Sequence, residues 1–481
     1  MITAPEVSWL AIAPDLTLAL GAALVLLIDV QWKPRARVLG IAAATCLFVA
    51  TGLTLWQWFE SGEGGFATPQ FSGLITMDKF AIFARLVLLV ATGLGLLAGW
   101  RFVVGLGRRG AEAVALVLLA TAGFSIMVAS NNLVMMFLGL EVGSIALYVL
   151  AGLTRENPES DEAALKYFLL GSFASAVFVY GVALLYAGTG TFSIIDIRSL
   201  LAGPGLTDPS VVYIGIGLVV AGLGFKVSAA PFHTWAPDVY QGAPAGIVGY
   251  MAAAAKIAGF AALTRVLLAG VGELDVTWLP VVAAIATLSM LVGSVVALVQ
   301  GDVRRMLAYS GVAHAGFIMT GIVGGASDGV LFYLAVYAIQ LVGAFAVVAA
   351  VSGADGARSS IDQYRGLARR SPVLAGSFTV LLLALAGIPL TSGFVAKFGV
   401  LSDAWAADYQ WLVVVAVLAS VIALAFYIRV IVVMYMDESE DAALPVVAPV
   451  RLVLGLAVAA TLLFGVFPGS LLDLAADALP L

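Results

Sequence analysis

Six ionisable side chains lie inside stretches of this chain that are otherwise apolar. Glu141 follows Met135-Met136-Phe137-Leu138-Gly139-Leu140, and Lys226 closes Gly222-Leu223-Gly224-Phe225. Lys256 sits among Ala252 to Ala255 and Gly259, His314 within Tyr309-Ser310-Gly311-Val312-Ala313-His314-Ala315-Gly316, and Lys397 eight residues beyond Pro389; His233 comes seven residues after Lys226. A charge at mid-bilayer costs about 2.5 to 3.5 kcal/mol or more, so a central one is functional by default. A lysine near the end of a span merely snorkels to the interface. Burial disfavours the charged form of a lysine and a nearby carboxylate favours it, so a buried lysine can be made to hold or release a proton. If Glu141 pairs with Lys226, separating the two would let Lys226 pass a proton toward Lys256, His314 and Lys397. Plainer readings stay open beside this one. A buried carboxylate can simply bond to a neighbouring helix, His314 can be an ordinary hydrogen-bonded histidine, and His233 can be a cap as easily as a relay. Arg85 is expected to pair with Asp78 near the outer side, and Arg265 and Arg429 to snorkel.

Other chemistries are poorly supplied. Cys46 is the only cysteine and His233 and His314 the only histidines, too few for disulfides, cysteine-ligated iron–sulfur clusters, zinc sites or a pair of haems. There is no G-x-x-x-x-G-K-[ST] phosphate loop. No cofactor, metal or nucleic-acid partner is expected for this chain, and the net charge of −6 is spread over short loops.

The elements that must hold these side chains are membrane helices. The 481 residues are 62% hydrophobic and 11% charged, against about 25% charged in an average soluble domain. Runs of about 20 apolar residues, the length that crosses a bilayer, follow one another without the alternation of a barrel strand, and backbone in lipid must bond internally. The fold class is therefore all-α, a polytopic membrane protein with about fourteen spans, read at 9–30, 38–59, 78–100, 111–130, 132–152, 163–187, 211–232, 243–269, 277–299, 303–324, 329–351, 372–402, 410–435 and 446–468. The first run has no basic stretch before it and reads as a retained helix rather than a signal peptide. Basic residues gather in odd loops: Lys33, Arg35 and Arg37; Arg101, Arg108 and Arg109; Arg155 and Lys166; Arg304 and Arg305; Arg358, Arg365, Arg369 and Arg370. Even loops carry Lys79 and Arg198 but also Glu60, Glu63, Asp208, Glu273, Asp275, Asp328, Asp403 and Asp408. Odd loops then face the cytoplasm and both termini the opposite side.

Two spans look broken. Pro231 stands five residues after Lys226 in the seventh, and Ala386-Gly387-Ile388-Pro389-Leu390-Thr391-Ser392-Gly393 interrupts the twelfth before Lys397. Interruptions in corresponding positions of two halves suggest an internal repeat with a polar site at each break. This divides the chain into residues 1–110, with three helices, a first repeat at 111–270, a second at 271–436, and a final helix at 437–481.

The stretch Phe225-Lys226-Val227-Ser228-Ala229-Ala230-Pro231-Phe232-His233-Thr234-Trp235-Ala236-Pro237-Asp238-Val239-Tyr240-Gln241-Gly242-Ala243-Pro244, with Lys256 downstream, resembles the antiporter-like membrane subunits of respiratory complex I, the NADH-quinone oxidoreductase. The likeness extends over essentially the whole chain. A lysine at 397 is similar to the N- and L-type members, where M-type members carry a glutamate, and the chain stops without the long lateral helix of the L type. The resemblance implies two inverted five-helix repeats in the membrane arm of a bacterial inner-membrane complex, neighbours of the M, K and J types, and indirect contact with the hydrophilic redox arm. It also implies proton translocation driven by quinone reduction elsewhere in the complex, with Glu141, Lys226, Lys256, His314 and Lys397, and His233 beside them, on the proton path. The alternatives are a subunit of a multi-subunit cation/proton antiporter, without a redox partner, and a passive scaffold whose buried charges only specify packing.

Overall fold

The computed structural model describes residues 8–33, 35–61, 69–70, 73–154, 157–203, 209–325, 327–352, 359–439 and 442–478. Glu63, Arg155, Asp208 and Arg358, used above to orient the chain, lie outside them. Among the described residues twelve helices are long and apolar enough to cross a membrane, and two shorter apolar helices, Ser210–Lys226 and Pro372–Ala386, belong to interrupted crossings. In chain order they are α1 (Trp9–Trp32), α2 (Ala36–Glu60), α3 (Lys79–Ala98), α4 (Gly110–Ala129), α5 (Leu133–Ala151), α6 (Pro158–Thr189), α7a (Ser210–Lys226) with α7b (Trp235–Gly242), and α8 (Ala245–Thr264). There follow α9 (Asp275–Leu298), α10 (Val303–Val323), α11 (Ser327–Ser352), α12a (Pro372–Ala386) with α12b (Ser392–Ala406), α13 (Gln410–Met436) and α14 (Ala448–Val466). Strand structure among the described residues is one short antiparallel pair, Pro69–Gln70 with Ile75–Thr76.

Helices α8 and α10 form the centre, and their apolar windows are 94% buried, whereas α2 and α14 turn most of their surface outward. Helix α6 begins at Pro158, five residues before the sequence-based boundary. Asn157 accepts from the Glu159 N–H and the proline occupies the first turn, where its missing N–H costs nothing.

The internal repeat is visible in the backbone. Asn132, which caps α5, bridges to Ser193 beyond α6, and Asp302, which caps α10, bridges to Ser360 beyond α11. Leu133 N–H donates to the Phe192 carbonyl in the first bridge, and Val303 N–H to that of Ser359 in the second. The helix pair before each bridge is close-packed through glycine. Gly123 of α4 faces Gly139 and Gly143 of α5, and Gly293 of α9 faces Tyr309 and Ala313 of α10, as small residues allow in membranes. One bridge lies at an even loop and the other at an odd loop, so the second unit is inverted relative to the first.

Two arginine readings are corrected. Arg85 does not pair with Asp78. It turns toward α1, α2 and α4, donating to Asp15 at 3.1 Å, Gln57 at 2.8 Å and Ser125 at 2.7 Å. Asp78 caps α3 through the Ala81 N–H and is held by Arg265 in two bonds of 2.6 and 2.9 Å. Arg265, expected to snorkel, is thus fully buried, because the chain turns it inward onto a carboxylate. Arg429 is half-buried and donates to the carbonyls of Leu298 and Gln300 at the end of α9. Removing one partner of a buried pair strands the other and costs about 3 to 5 kcal/mol. Arg265→Leu should therefore lower the thermal stability of the detergent-solubilised protein sharply, and a second change, Asp78→Asn, should recover part of the loss in the same melting measurement.

Candidate functional site

The two breaks create the site. Helix α7a stops at Lys226, the next turn tightens through Ser228 at φ +59°, and the Ala230–Pro231 bond is cis. The freed backbone groups find partners. Ser228 and Ala229 N–H donate back to Phe225 and Gly224, the Ala230 N–H donates to Ser289 of α9, and the Trp235 indole donates to the Phe225 carbonyl. The Val227 carbonyl is taken by Lys256 of α8, whose Nζ stands 2.6 Å away and also donates to the Gly311 carbonyl of α10 at 2.9 Å. In α12 the helix stops at Ala386, and its carbonyl accepts from Lys397 Nζ at 3.0 Å. Gly387, at φ +88°, ends α12a, and a β-carbon there would stand 2.9 Å from Lys397 Cδ. Only glycine meets both demands. The last carbonyls of a helix are unpaired and carry the negative end of its dipole, so each lysine is held where a cation is favoured.

Between the breaks runs a line of polar groups. Glu141, half-buried on α5, accepts from Ser175 of α6. One turn further along α5, Ser144 accepts from Lys226 Nζ at 2.8 Å. Lys226 is also cradled by aromatic faces, 4.7 Å from the Phe124 ring centre and 5.9 Å from that of Tyr167. Ser144, Ser175, Tyr148 and Lys226 line a cavity of about 10 Å³, the space of one water. After Lys256 come Gly311, His314 and Phe317, at successive steps of three along α10. His314 Nδ1 shares a hydrogen bond of 2.7 Å with the Tyr333 hydroxyl and Nε2 one of 3.5 Å with that of Tyr427, which bonds Ser310 at 2.5 Å. Lys397 lies 4.4 Å from the Phe317 ring centre and reaches Ser420 at 3.3 Å. Lys226, Lys256, His314 and Lys397 are all buried.

Five of the six sequence-chosen residues are thereby brought into one row. The pairing of Glu141 with Lys226 is not direct, since no ion pair within 4 Å joins them and two serines stand between. His233 lies in the connecting segment, half-buried, its ring 6.0 Å from that of Tyr309, and no hydrogen bond joins it to the other five among the described residues. Sequence reasoning missed Ser144, Ser175, Ser310, Tyr333, Tyr427 and the three carbonyls. Ser144 was legible as a hydroxyl one turn from Glu141, and Ser310 as one turn from His314. The tyrosines carry no signal until α11 and α13 are packed. Missed too was Asp238 of α7b, which takes Lys166 of α6 at 2.7 Å and Arg305 of α10 at 2.6 Å and so ties the two repeats together. On that odd-loop face a cavity of about 360 Å³ opens, lined among others by Arg101, Arg109, Glu159, Gln241 and Arg304. Among the described residues no three His, Cys, Asp or Glu side chains are grouped to hold a metal ion.

With this geometry in place, similarity to known proteins is informative. Residues 130–423 match the family described as NADH:quinone oxidoreductase/Mrp antiporter, TM. The chain is 39% identical to NADH-quinone oxidoreductase subunit N 1 of Solibacter usitatus, covering 96% of this chain and 95% of that one. It is 43% identical to NADH-quinone oxidoreductase subunit N of Parafrankia sp., covering 99% and 96%. In structure it is similar to a chain of respiratory complex I from Thermus thermophilus with bound aureothin, with a TM-score of 0.82 at 32% identity over 96% of this chain and 99% of that one. The chain therefore belongs to the NADH:quinone oxidoreductase/Mrp antiporter transmembrane family, in its subunit N branch.

Proposed function

We propose that the chain moves protons across a membrane as a membrane-arm subunit of NADH-quinone oxidoreductase, driven by quinone reduction elsewhere in the complex and with no redox chemistry of its own. The observation that carries this reading is the row of three buried lysines, with a carboxylate at its head, in which two of the lysines hold the carbonyl left free at a helix break. A transporter of bulky solutes needs a chamber, whereas this interior offers hydroxyls, amines and an imidazole at hydrogen-bond spacing.

On this reading the residues act in order. The Glu141 carboxylate, through Ser175 and Ser144, is the counter-charge that Lys226 senses. A change of charge at Glu141 alters the hold on the Lys226 proton. Like charges held close together in a medium of low dielectric repel, and the repulsion shifts the proton equilibrium of each. A proton arriving at Lys226 thus pushes the Lys256 proton on toward His314 and then Lys397. His233, beside the first break, is on the access side of this row. The odd-loop recess touches the N-terminal end of α8, the helix that carries Lys256.

The same reading covers the setting. It places odd loops in the cytoplasm of a bacterial cell, both termini on the periplasmic side of the inner membrane, and neighbours of the M, K and J types along the membrane arm. It takes residues 111–270 and 271–436 as the two conducting repeats, 1–110 as flanking helices and 437–481 as a closing one.

In inside-out membrane vesicles, Lys226→Ala and Lys256→Ala should each cut the protons moved per NADH oxidised, and undiminished yields would sink the relay. Glu141→Gln should depress coupled turnover in the same assay. Ser144→Ala removes a hydrogen bond to a charged group, about 1.5 to 3 kcal/mol, and should slow coupled turnover by about tenfold or more. A Ser144→Ala rate equal to that of the unaltered protein would mean that Glu141 acts on Lys226 by another route.

A further inference from the structure

The second break rests on a backbone turn that its own side chain does not secure. Leu390 stands at φ +69°, a region that residues other than glycine seldom enter and that persists only where the surroundings impose it. The leucine side chain is 70% exposed, so core packing does not impose it. The backbone is gripped instead. Thr391 Oγ1 donates to the Ile388 carbonyl at 2.7 Å, Gln340 of α11 donates to Ser392 Oγ at 3.0 Å, and Gly393 abuts the Ala384 carbonyl at the end of α12a.

The remaining side is closed by α14, which packs against α11, α12a and α12b. Its Gly465 meets the break backbone to backbone. A β-carbon on residue 465 would stand 2.5 Å from Thr391 Cα and 2.6 Å from Thr391 C, and closer still to the Leu390 carbonyl oxygen. These are main-chain atoms, which cannot swing aside as the end of a side chain can, so a larger residue must push α14 or the start of α12b away. Gly455, on the same helix, has no atom within 4 Å of its β-carbon position. Thr391 is where α12b begins, its carbonyl accepting from the Phe394 and Val395 N–H groups. Lys397 follows six residues later, about 9 Å along the helix. A displacement at Thr391 therefore reaches Lys397, whose Nζ bonds the Ala386 carbonyl across the gap at 3.0 Å.

We propose that Gly465 is a positioning residue for Lys397. By letting α14 lie flush on Leu390 and Thr391, it fixes the turn from which α12b carries Lys397 to the Ala386 carbonyl. This role rests on the proton-moving reading above, which puts Lys397 on the path. Gly465 itself handles no proton, and its effect passes through the main chain of the break.

The test uses the whole complex in vesicles and measures assembled complex, NADH oxidation and protons moved across a range of pH. Ionisable side chains on the Lys397 side of the row are His314, beside Phe317, with Tyr333 and Tyr427 bonded to it. None of these is among the nearest neighbours of Gly465, so all stay in place in the variant. Gly465→Ala should lower proton movement per assembled complex by about tenfold and move its pH profile by about half a unit or more. A loss of packing alone would scale the rate equally at every pH. Gly455→Ala should leave rate and profile unchanged. If Lys397→Ala still pumps fully, the functional reading itself fails. If Lys397→Ala cuts pumping while Gly465→Ala keeps the full rate and profile, or scales the rate without moving the profile, the function stands and the Gly465 role is overturned. A Gly455→Ala profile moved as far would overturn it too. Should Gly465→Ala not assemble, Gln340→Leu loosens the same turn without added bulk, and an unmoved profile there overturns the role.

Discussion

In hydrocarbon a carbonyl without a donor has nowhere to turn, and that constraint organises the whole molecule. Among the described residues twelve crossings obey it by remaining helical from one end to the other. The two that stop midway expose carbonyls at the depth where water is least available, and each is met by an ammonium, Lys256 at Val227 and Lys397 at Ala386. The dependence is mutual. The lysine could not be buried without the broken helix, nor the break tolerated without a donor, so each charge is part of the backbone bonding and also of the chemistry. The helices around them serve this arrangement. The buried position of α8 and α10 follows from the need to bring Lys256 and His314 between the two interruptions.

Much of this was legible in the sequence because membrane helices announce themselves through uninterrupted apolar length, which depends on no packing detail. The fourteen spans and the buried ionisable residues came from that signal, and both breaks from the prolines and glycines that interrupt it, Pro231 in the seventh span and Gly387 with Pro389 in the twelfth. Partners were another matter. Arg85 was assigned to Asp78 because the two are near in sequence, yet helical direction turns Arg85 toward α1 and α2, while Asp78 meets Arg265 from a helix nearly two hundred residues away. Arg265 looked like a snorkelling residue because hydropathy records depth and not rotation. The serines beside Glu141 and the tyrosines around His314 were missed for the same reason. Hydroxyls are common in apolar helices, and only rotation and tilt show which of them meet a charge.

The two halves are built to one plan and installed upside down, as the Asn132–Ser193 and Asp302–Ser360 bridges record. They are joined at the odd-loop face by Asp238, which Lys166 of the first unit and Arg305 of the second grip together. These pairs are partly exposed, and isolated surface pairs are weak, but here the shared carboxylate fixes α7b, the short helix that follows the break, against both repeats at once.

The inverted bridges have a consequence for direction. Two equal units mounted head to foot form an object that looks the same from either side, and such an object has no preferred sense of flow. Any one-way behaviour must arise where the copies differ. At the first break the row begins with Lys226, the final residue of its half-helix, bonded to a serine hydroxyl and answering to a carboxylate. At the second, Lys397 lies beyond the gap, bonded to main chain and to Ser420, with no acidic partner in its ion-pair or hydrogen-bond contacts among the described residues. The departure from symmetry, rather than the symmetry, is what can make this a valve.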